Sequence, residues 1–245
     1  MKHLYRLLAL LLALLLATPA LADVITIDLE TATYDELTAA YELLKAERIA
    51  RLTAAYAATH EAQPVEGIAF RNVPWGSTRV EAEAILGKPE RTDDYYPIYA
   101  TWGSSDGRGF SSYYTWKIAG YDARGMTSFV YVVQDGSLLR DKDLAIMTEA
   151  MYTIQNISDK EAAMEDLTTK LTSLYGACTY NGDARVWTDA NGHRIELGAS
   201  TFVTIRYFHA EQKSLMNAAL QAIAAEKAAQ EELQRLQNQN STDGL

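Results

Sequence analysis

Three histidines, one cysteine and several carboxylate pairs are the side chains that could perform acid–base or metal chemistry after the N-terminal segment. His60, His193 and His209 stand far apart in the chain, and none has another His, Cys or paired carboxylate three or four residues away. Zinc sites are usually assembled from such closely spaced ligands. The sequence therefore predicts neither a metal site nor a cofactor.

The closest carboxylate pairs are Asp93 with Asp94 and Asp141 with Asp143. Glycoside hydrolysis needs two carboxyl groups that face each other across roughly 5 to 10 Å, usually from different elements. Adjacent acids in loops usually face solvent instead. A hydrolase would need converging carboxylates, for which Asp94 and Asp106 are the candidates.

Other catalytic patterns are missing from the sequence. The run Asp189-Ala190-Asn191-Gly192 lacks the remaining ligands of an EF-hand loop and is typical of a hairpin turn. No G-x-S-x-G elbow provides a serine nucleophile, and Gly103 to Gly107 is ordinary loop sequence. We predict no catalytic residue and a protein that is not an enzyme.

An aromatic cluster between residues 95 and 116 is the better candidate for a site. Its members are interleaved with Gly and Ser, as in stacking platforms for sugars and in protein-binding hot spots. The same composition also suits a β-meander that packs on each face. The candidate binding residues are Tyr95, Tyr96, Tyr99, Trp102 and Trp116.

The N-terminus has the pattern of a secretory signal peptide. Lys2 and Arg6 precede an apolar Leu/Ala run, and small residues lead to a predicted cleavage between Ala22 and Asp23. The run is shorter than the roughly 20 residues of a spanning helix, although a retained N-terminal anchor stays an alternative. We expect a secreted or extracytoplasmic protein whose mature chain has no transmembrane segment.

Charge and cysteine content restrict the partners. The full chain has 22 Lys and Arg against 32 Asp and Glu, a net charge of −10, and loss of Lys2 and Arg6 makes it −12. Such a balance argues against nucleic acid and anionic membranes as partners. Cys178 is the only cysteine, so no intramolecular disulfide forms. It is either a reactive or dimer-forming thiol or a small half-buried side chain.

The elements follow from periodicity and capping signals. Residues 34–59 and 210–238 are predicted as long helices. Capping boxes at Thr78/Glu81 and Ser158/Glu161 begin two shorter helices, which end at Gly87 and Gly176. Alternating strands follow each of them, one predicted over residues 127–134 and another over 202–208.

These elements predict an α+β fold of two helix-plus-antiparallel-meander units flanked by long N- and C-terminal helices. A divergent duplication would explain why both predicted units consist of a capped helix followed by antiparallel strands. The predicted segments are a signal peptide (1–22), an N-terminal strand and helix (23–66), a first unit (67–157), a second unit (158–209) and a C-terminal helix with a polar tail (210–245).

The run Phe70-Arg71-Asn72-Val73-Pro74-Trp75-Gly76-Ser77-Thr78, continuing into Ile85-Leu86-Gly87-Lys88-Pro89, resembles the opening of a module of exported Gram-positive gut bacterial proteins. It is also similar to the helix-and-meander unit of the SmpA/BamE-like outer-membrane assembly lipoproteins and of the tandem β-lactamase-inhibitor proteins. The chain lacks the N-terminal cysteine of those lipoproteins. The resemblance implies a fold and protein–protein contact without chemistry.

The sequence thus predicts a non-enzymatic protein-binding or scaffolding module that acts on an envelope or extracellular partner. The alternative is a carbohydrate- or cell-wall-binding protein that uses the aromatic residues between 95 and 116.

Overall fold

The computed structural model describes residues 33–61, 64–94 and 107–242. The described chain divides into two compact units, one of residues 33–59, 134–139 and 221–242, the other of 60–61, 64–94, 107–133 and 140–220. The predicted signal peptide and N-terminal strand lie outside the described residues. Within the described ranges, no helix is both long enough and apolar enough to span a membrane.

The described residues form four helices and ten strands. The helices are α1 (Tyr34–Thr59), α2 (Arg79–Leu86), α3 (Lys160–Tyr175) and α4 (Gln212–Thr242). The strands are β1 (Arg91–Asp93), β2 (Gly109–Ile118), β3 (Tyr121–Val130), β4 (Val132–Gln134), β5 (Ser137–Leu139), β6 (Ile146–Ile154), β7 (Thr179–Asn181), β8 (Ala184–Thr188), β9 (Arg194–Ala199) and β10 (Val203–Phe208).

The strands form one eight-stranded antiparallel sheet in the order β1-β2-β3-β6-β10-β9-β8-β7, with β4 and β5 as a separate pair. The predicted arrangement of two helix-meander units flanked by long terminal helices is therefore wrong, although the broad α+β class agrees. The reason is the pairing of β10 with β6, which runs from Val203↔Ile154 to Phe208↔Glu149. Backbone hydrogen bonds thus continue across the position where a boundary between units was expected.

Local signals of the sequence are largely confirmed. The helix over Tyr34–Thr59 forms as predicted, and Thr78 and Glu81 complete their capping box at the start of α2. The predicted strand over residues 127–134 is interrupted at Tyr131, because β3 ends at Val130 and β4 begins at Val132. The second capping box is wrong, since Asp159 rather than Ser158 caps α3 and accepts from the Ala162 N–H at 2.9 Å.

Alternation along the strands gives the sheet two different faces. In β10, Val203, Ile205 and Tyr207 are buried, whereas Thr204 and Arg206 between them are partly exposed. The helix α3 lies on the buried face, because Arg185 of β8 donates to the Met164 carbonyl of α3 at 2.6 Å. The opposite face is called the open face below.

Aromatic rings fill the buried face. Phe70 is fully buried and lies 5.4 Å from Trp116, 5.0 Å from Tyr152 and 5.2 Å from Tyr207, measured between ring centroids. A tight turn delivers Phe70 to this position, since the Val73 N–H donates to its carbonyl and the two residues between have positive φ angles. The motif that carries the resemblance is therefore part of the core.

The two ends of the sheet differ in chemistry. At one end, β1 carries the ion pair of Arg91 with Asp93, whose charged atoms are 2.9 Å apart. At the other end, all three residues of β7 are exposed and uncharged, and Tyr180 is 71% exposed. The half-buried Cys178 directly precedes β7.

The unit that contains α1 has its own small core. Leu37, Tyr41 and Leu44 are buried on one side of α1, which contacts β5. The Tyr34 hydroxyl donates to the Leu233 carbonyl of α4 at 2.6 Å. Within this unit, α1 therefore packs against both β5 and the distal part of α4.

We expect Gly125→Ala to destabilise the fold by about 1–3 kcal/mol, because a Cβ atom there would overlap the Trp116 ring, which lies directly over Gly125. Urea unfolding measures the change. Gly198→Ala is the matched control, since it also lies in a strand but a Cβ atom there meets nothing within 4 Å. If the two variants had the same free energy of unfolding, the close contact between Gly125 and the Trp116 ring would not contribute to the stability of the fold.

Candidate functional site: the open face and a histidine cavity

Most of the predicted binding residues lie outside the described part of the chain. Tyr95, Tyr96, Tyr99 and Trp102 fall there, as do Ala22 and Asp23 of the predicted cleavage site. Their candidacy as sites stays a prediction.

Trp116 is described, and its ring is surrounded by protein. Tyr114 stacks on it with ring centroids 4.4 Å apart, and the Arg71 guanidinium lies 4.9 Å from its centre. The ring also packs directly over Gly125. Trp116 thus belongs to the aromatic core on the buried face and is only partly exposed.

The predicted carboxylate pairs are engaged at the surface. Asp94 accepts from Lys142 at 2.6 Å, and Asp143 forms an ion pair with Arg79. Asp141 accepts a hydrogen bond from the Asp143 N–H at 2.8 Å. Asp106, the second member of the possible hydrolase pair, lies outside the described residues.

The open face carries two rows of side chains that run across neighbouring strands. In the first row, Thr115, Arg124, Thr153 and Thr204 pair in register from β2 to β10. The second row follows two residues along and consists of Tyr113, Met126, Met151 and Arg206. The rows bring together residues that are up to 93 positions apart in the sequence (Tyr113 to Arg206).

Charged groups on this face are mostly paired. Lys117 lies 3.4 Å from Asp122, and Arg194 lies 3.2 Å from Glu196. Arg124 differs, because it is exposed and no described carboxylate lies within ion-pair distance of it. In the register, Arg124 stands between two threonines of the same row, Thr115 and Thr153.

A buried network closes one end of the open face. Glu149 is only 1% exposed, and its Oε1 accepts from Arg206 Nη2 at 2.7 Å and Nε at 3.1 Å. Its Oε2 accepts from Gln212 Nε2, 3.0 Å away, at the start of α4. Burial raises the pKa of Glu149 and Arg206 opposes that shift. The network fixes the Arg206 side chain and the beginning of α4.

A second feature lies on the buried face, where His193 and His209 meet Trp75. The ring centroids of the two histidines are 5.3 Å apart, and those of Trp75 and His193 are 5.7 Å apart. Spacing along the chain does not reveal this cluster, because His193 and His209 are far apart in the sequence. The pairing of β9 with β10 brings the two histidines together. Phe208 pairs with Arg194, and His209 and His193 are the next residues beyond that pair.

Both histidines are held in the neutral form at neutral pH. Burial lowers the pKa of His209 to about 4, and the neighbouring His193 adds to the effect. Burial also lowers the pKa of His193, against the attraction of Asp189 and Glu211. The His193 Nδ1 accepts from the Ala210 N–H at 3.0 Å, so in the neutral ring the proton is on Nε2.

We expect stability to fall on acidification because of His209. Its pKa is about 4 in the folded chain against 6.5 unperturbed, so its stabilising contribution is complete above about pH 6.5 and is lost as the pH falls towards 4. His209→Phe should remove this loss, of order 1–2 kcal/mol once partial exposure of the ring is allowed for. Urea unfolding at about pH 7.5 and about pH 5 measures it.

His60→Phe is the control, because His60 lies outside the cluster and bonds to Glu81 at 3.2 Å. It should leave the contribution of His209 unchanged. An identical pH dependence in wild type and His209→Phe would contradict the argument.

Neither the open face nor the cavity offers a metal centre, since no group of three or more His, Cys, Asp or Glu among the described residues could hold a metal ion. No protein-family model, no curated protein and no solved structure matches this chain.

Proposed function

We propose that this chain is a non-enzymatic binding module that contacts a protein partner through the open face of its eight-stranded sheet. The observation that carries the proposal is the double row of side chains on that face, which combines Tyr113, Met151, Arg124 and Arg206 with threonines.

The composition of the rows supports a protein partner. Tyr, Met and Arg are enriched at protein interfaces, and Tyr and Arg are frequent among the residues that contribute most to affinity. Tyr113, Met151 and Arg206 of the second row are only partly buried, whereas Met126, which stands between Tyr113 and Met151, is buried. A face that needed only solubility would be expected to carry more charge and less Tyr and Met.

The rigidity of the face supports the same conclusion. Met151 and Thr153 stand on β6, which pairs on both sides and therefore holds their backbone positions fixed. Arg206 is further fixed by its two hydrogen bonds to Glu149. Binding to side chains that are already ordered costs less conformational entropy.

Arg124 provides the specific contact of this surface. An exposed guanidinium without a carboxylate partner retains donors for a bidentate hydrogen bond to a carboxylate of another protein. The flanking threonines Thr115 and Thr153 add hydroxyl groups at the same level of the sheet. We infer that the partner places an acidic side chain there.

The location of the partner follows from the predicted signal peptide. An exported chain meets envelope or extracellular proteins, and its net charge of −10 disfavours nucleic acid. Carbohydrate or cell-wall binding through residues 95 to 116 is the alternative that the experiment must separate.

Site-specific photo-crosslinking tests the proposal. A benzoylphenylalanine at Thr153, in the middle of the open face, should give a defined protein adduct with envelope extract, and one at the exposed Glu165 on α3 should not. Adding Arg124→Glu should reduce the Thr153 adduct at least about tenfold, as expected for loss of a hot-spot contact.

Lys160→Glu is the matched control, because it makes the same change of charge at an exposed position on α3. It should leave the adduct unchanged, and both variants should unfold like wild type, since exposed substitutions usually change stability by less than about 0.5 kcal/mol. Equal crosslinking from Thr153 and Glu165 would contradict the proposal. Retention on purified peptidoglycan without a protein adduct would favour the carbohydrate alternative.

A further inference from the structure

The cavity at the histidine cluster has the chemistry of a ligand site. Its volume is about 250 Å³, somewhat below the roughly 300–1,000 Å³ of sites for drug-sized ligands. The lining consists of aromatic, apolar and acidic groups together with one amide: Pro64, Val65, Glu66, Ala69, Trp75, Asn191, His193 and His209.

Three rings form the floor of this cavity and are held in place. The centroids of Trp75 and His209 are 5.8 Å apart, which completes a triangle with His193. The Trp75 indole donates to the Ile68 carbonyl at 2.6 Å, and His193 accepts from the Ala210 N–H at 3.0 Å. The three rings are therefore ordered before any ligand arrives.

The charge of the lining selects the sign of the ligand. No Lys or Arg is among the described residues that line the cavity, and the histidine rings are neutral at neutral pH. Glu66 is exposed at the rim and no described cation lies within ion-pair distance of it. The faces of aromatic rings attract cations, and Trp does so most strongly. The cavity therefore favours a cation over an anion.

The remaining walls select an alkylated cation. Pro64, Val65 and Ala69 present apolar surface, and Val65 is 46% exposed. A bare ammonium ion would lose its hydration shell against such walls without compensation, whereas alkyl groups on the nitrogen gain contact with them. The buried Nδ1 of His209 has no hydrogen-bond partner among the described residues. Polarised C–H groups beside an ammonium nitrogen are weak donors suited to it.

We propose that the cavity bounded by Trp75, His193, His209 and Glu66 binds a small alkylated ammonium cation. The site is on the buried face of the sheet and is independent of the binding surface proposed for the open face.

Choline, the neutral isostere 3,3-dimethylbutan-1-ol and ammonium chloride are the probes. The indole N–H signal of Trp75, one of four tryptophans, is followed by NMR of the full chain and assigned with Trp75→Phe. Choline should shift this signal in the millimolar range, the isostere should bind about tenfold more weakly, and ammonium should not bind. Equal binding of choline and its isostere would overturn the proposal, because the positive charge would then contribute nothing.

Glu66→Gln tests the acidic rim without disturbing the core, since Glu66 is exposed. It should weaken choline binding several-fold. Glu90→Gln is the control, because it removes the same charge at an exposed position that does not line the cavity, and it should bind choline like wild type.

Phosphatidylcholine vesicles separate a free ligand from a lipid headgroup. A Glu66-dependent shift with free choline identifies a small molecule as the ligand, and Glu66-dependent co-sedimentation with vesicles alone identifies a headgroup. Absence of Glu66-dependent binding in both arms would overturn the proposal.

Discussion

The pairing of β6 with β10 is the constraint on which the larger unit depends. Its register joins β1, β2 and β3 on one side to β7, β8 and β9 on the other, so a single ladder of backbone hydrogen bonds holds the sheet together. The Arg206–Glu149 ion pair crosses the same seam with a distance of 2.7 Å. A buried carboxylate is costly unless it is fully paired, and Glu149 obtains its partners only when β10 and the start of α4 are both in place.

The same register determines which side chains of each strand pack in the core and which lie on the open face. Tyr152 and Tyr207 point to the buried face and build the aromatic core, while Met151, Thr153 and Arg206 point the other way. A shift of one residue would exchange the two sets and expose the rings. The packing of the core therefore determines which side chains the open face presents.

Local features of the fold were predictable from the sequence, and distant pairings were not. The Thr78/Glu81 capping box and the glycine stops at Gly87 and Gly176 depend on neighbours within a few residues. The cap of α3 was placed one residue early because Ser158 and Asp159 are both good N-caps, and only the backbone geometry decides between them.

The continuous sheet and the histidine cluster were not predicted, for related reasons. An alternating strand such as β10 carries no mark of its partner, and the whole of α3 intervenes between it and β6. His193 and His209 come together through the hairpin of β9 and β10, so the relevant distance is set by strand register instead of spacing along the chain. The rows of the open face arise in the same way.

The unequal ends of the sheet have a consequence for the behaviour of the protein in concentrated solution. Charges on β1 discourage an approaching chain, whereas β7 offers neutral, solvent-facing backbone with a large exposed ring at Tyr180. A sheet shared between molecules would therefore grow from one edge only, beginning at β7. The adjacent thiol of Cys178 could make such an association covalent under oxidising storage.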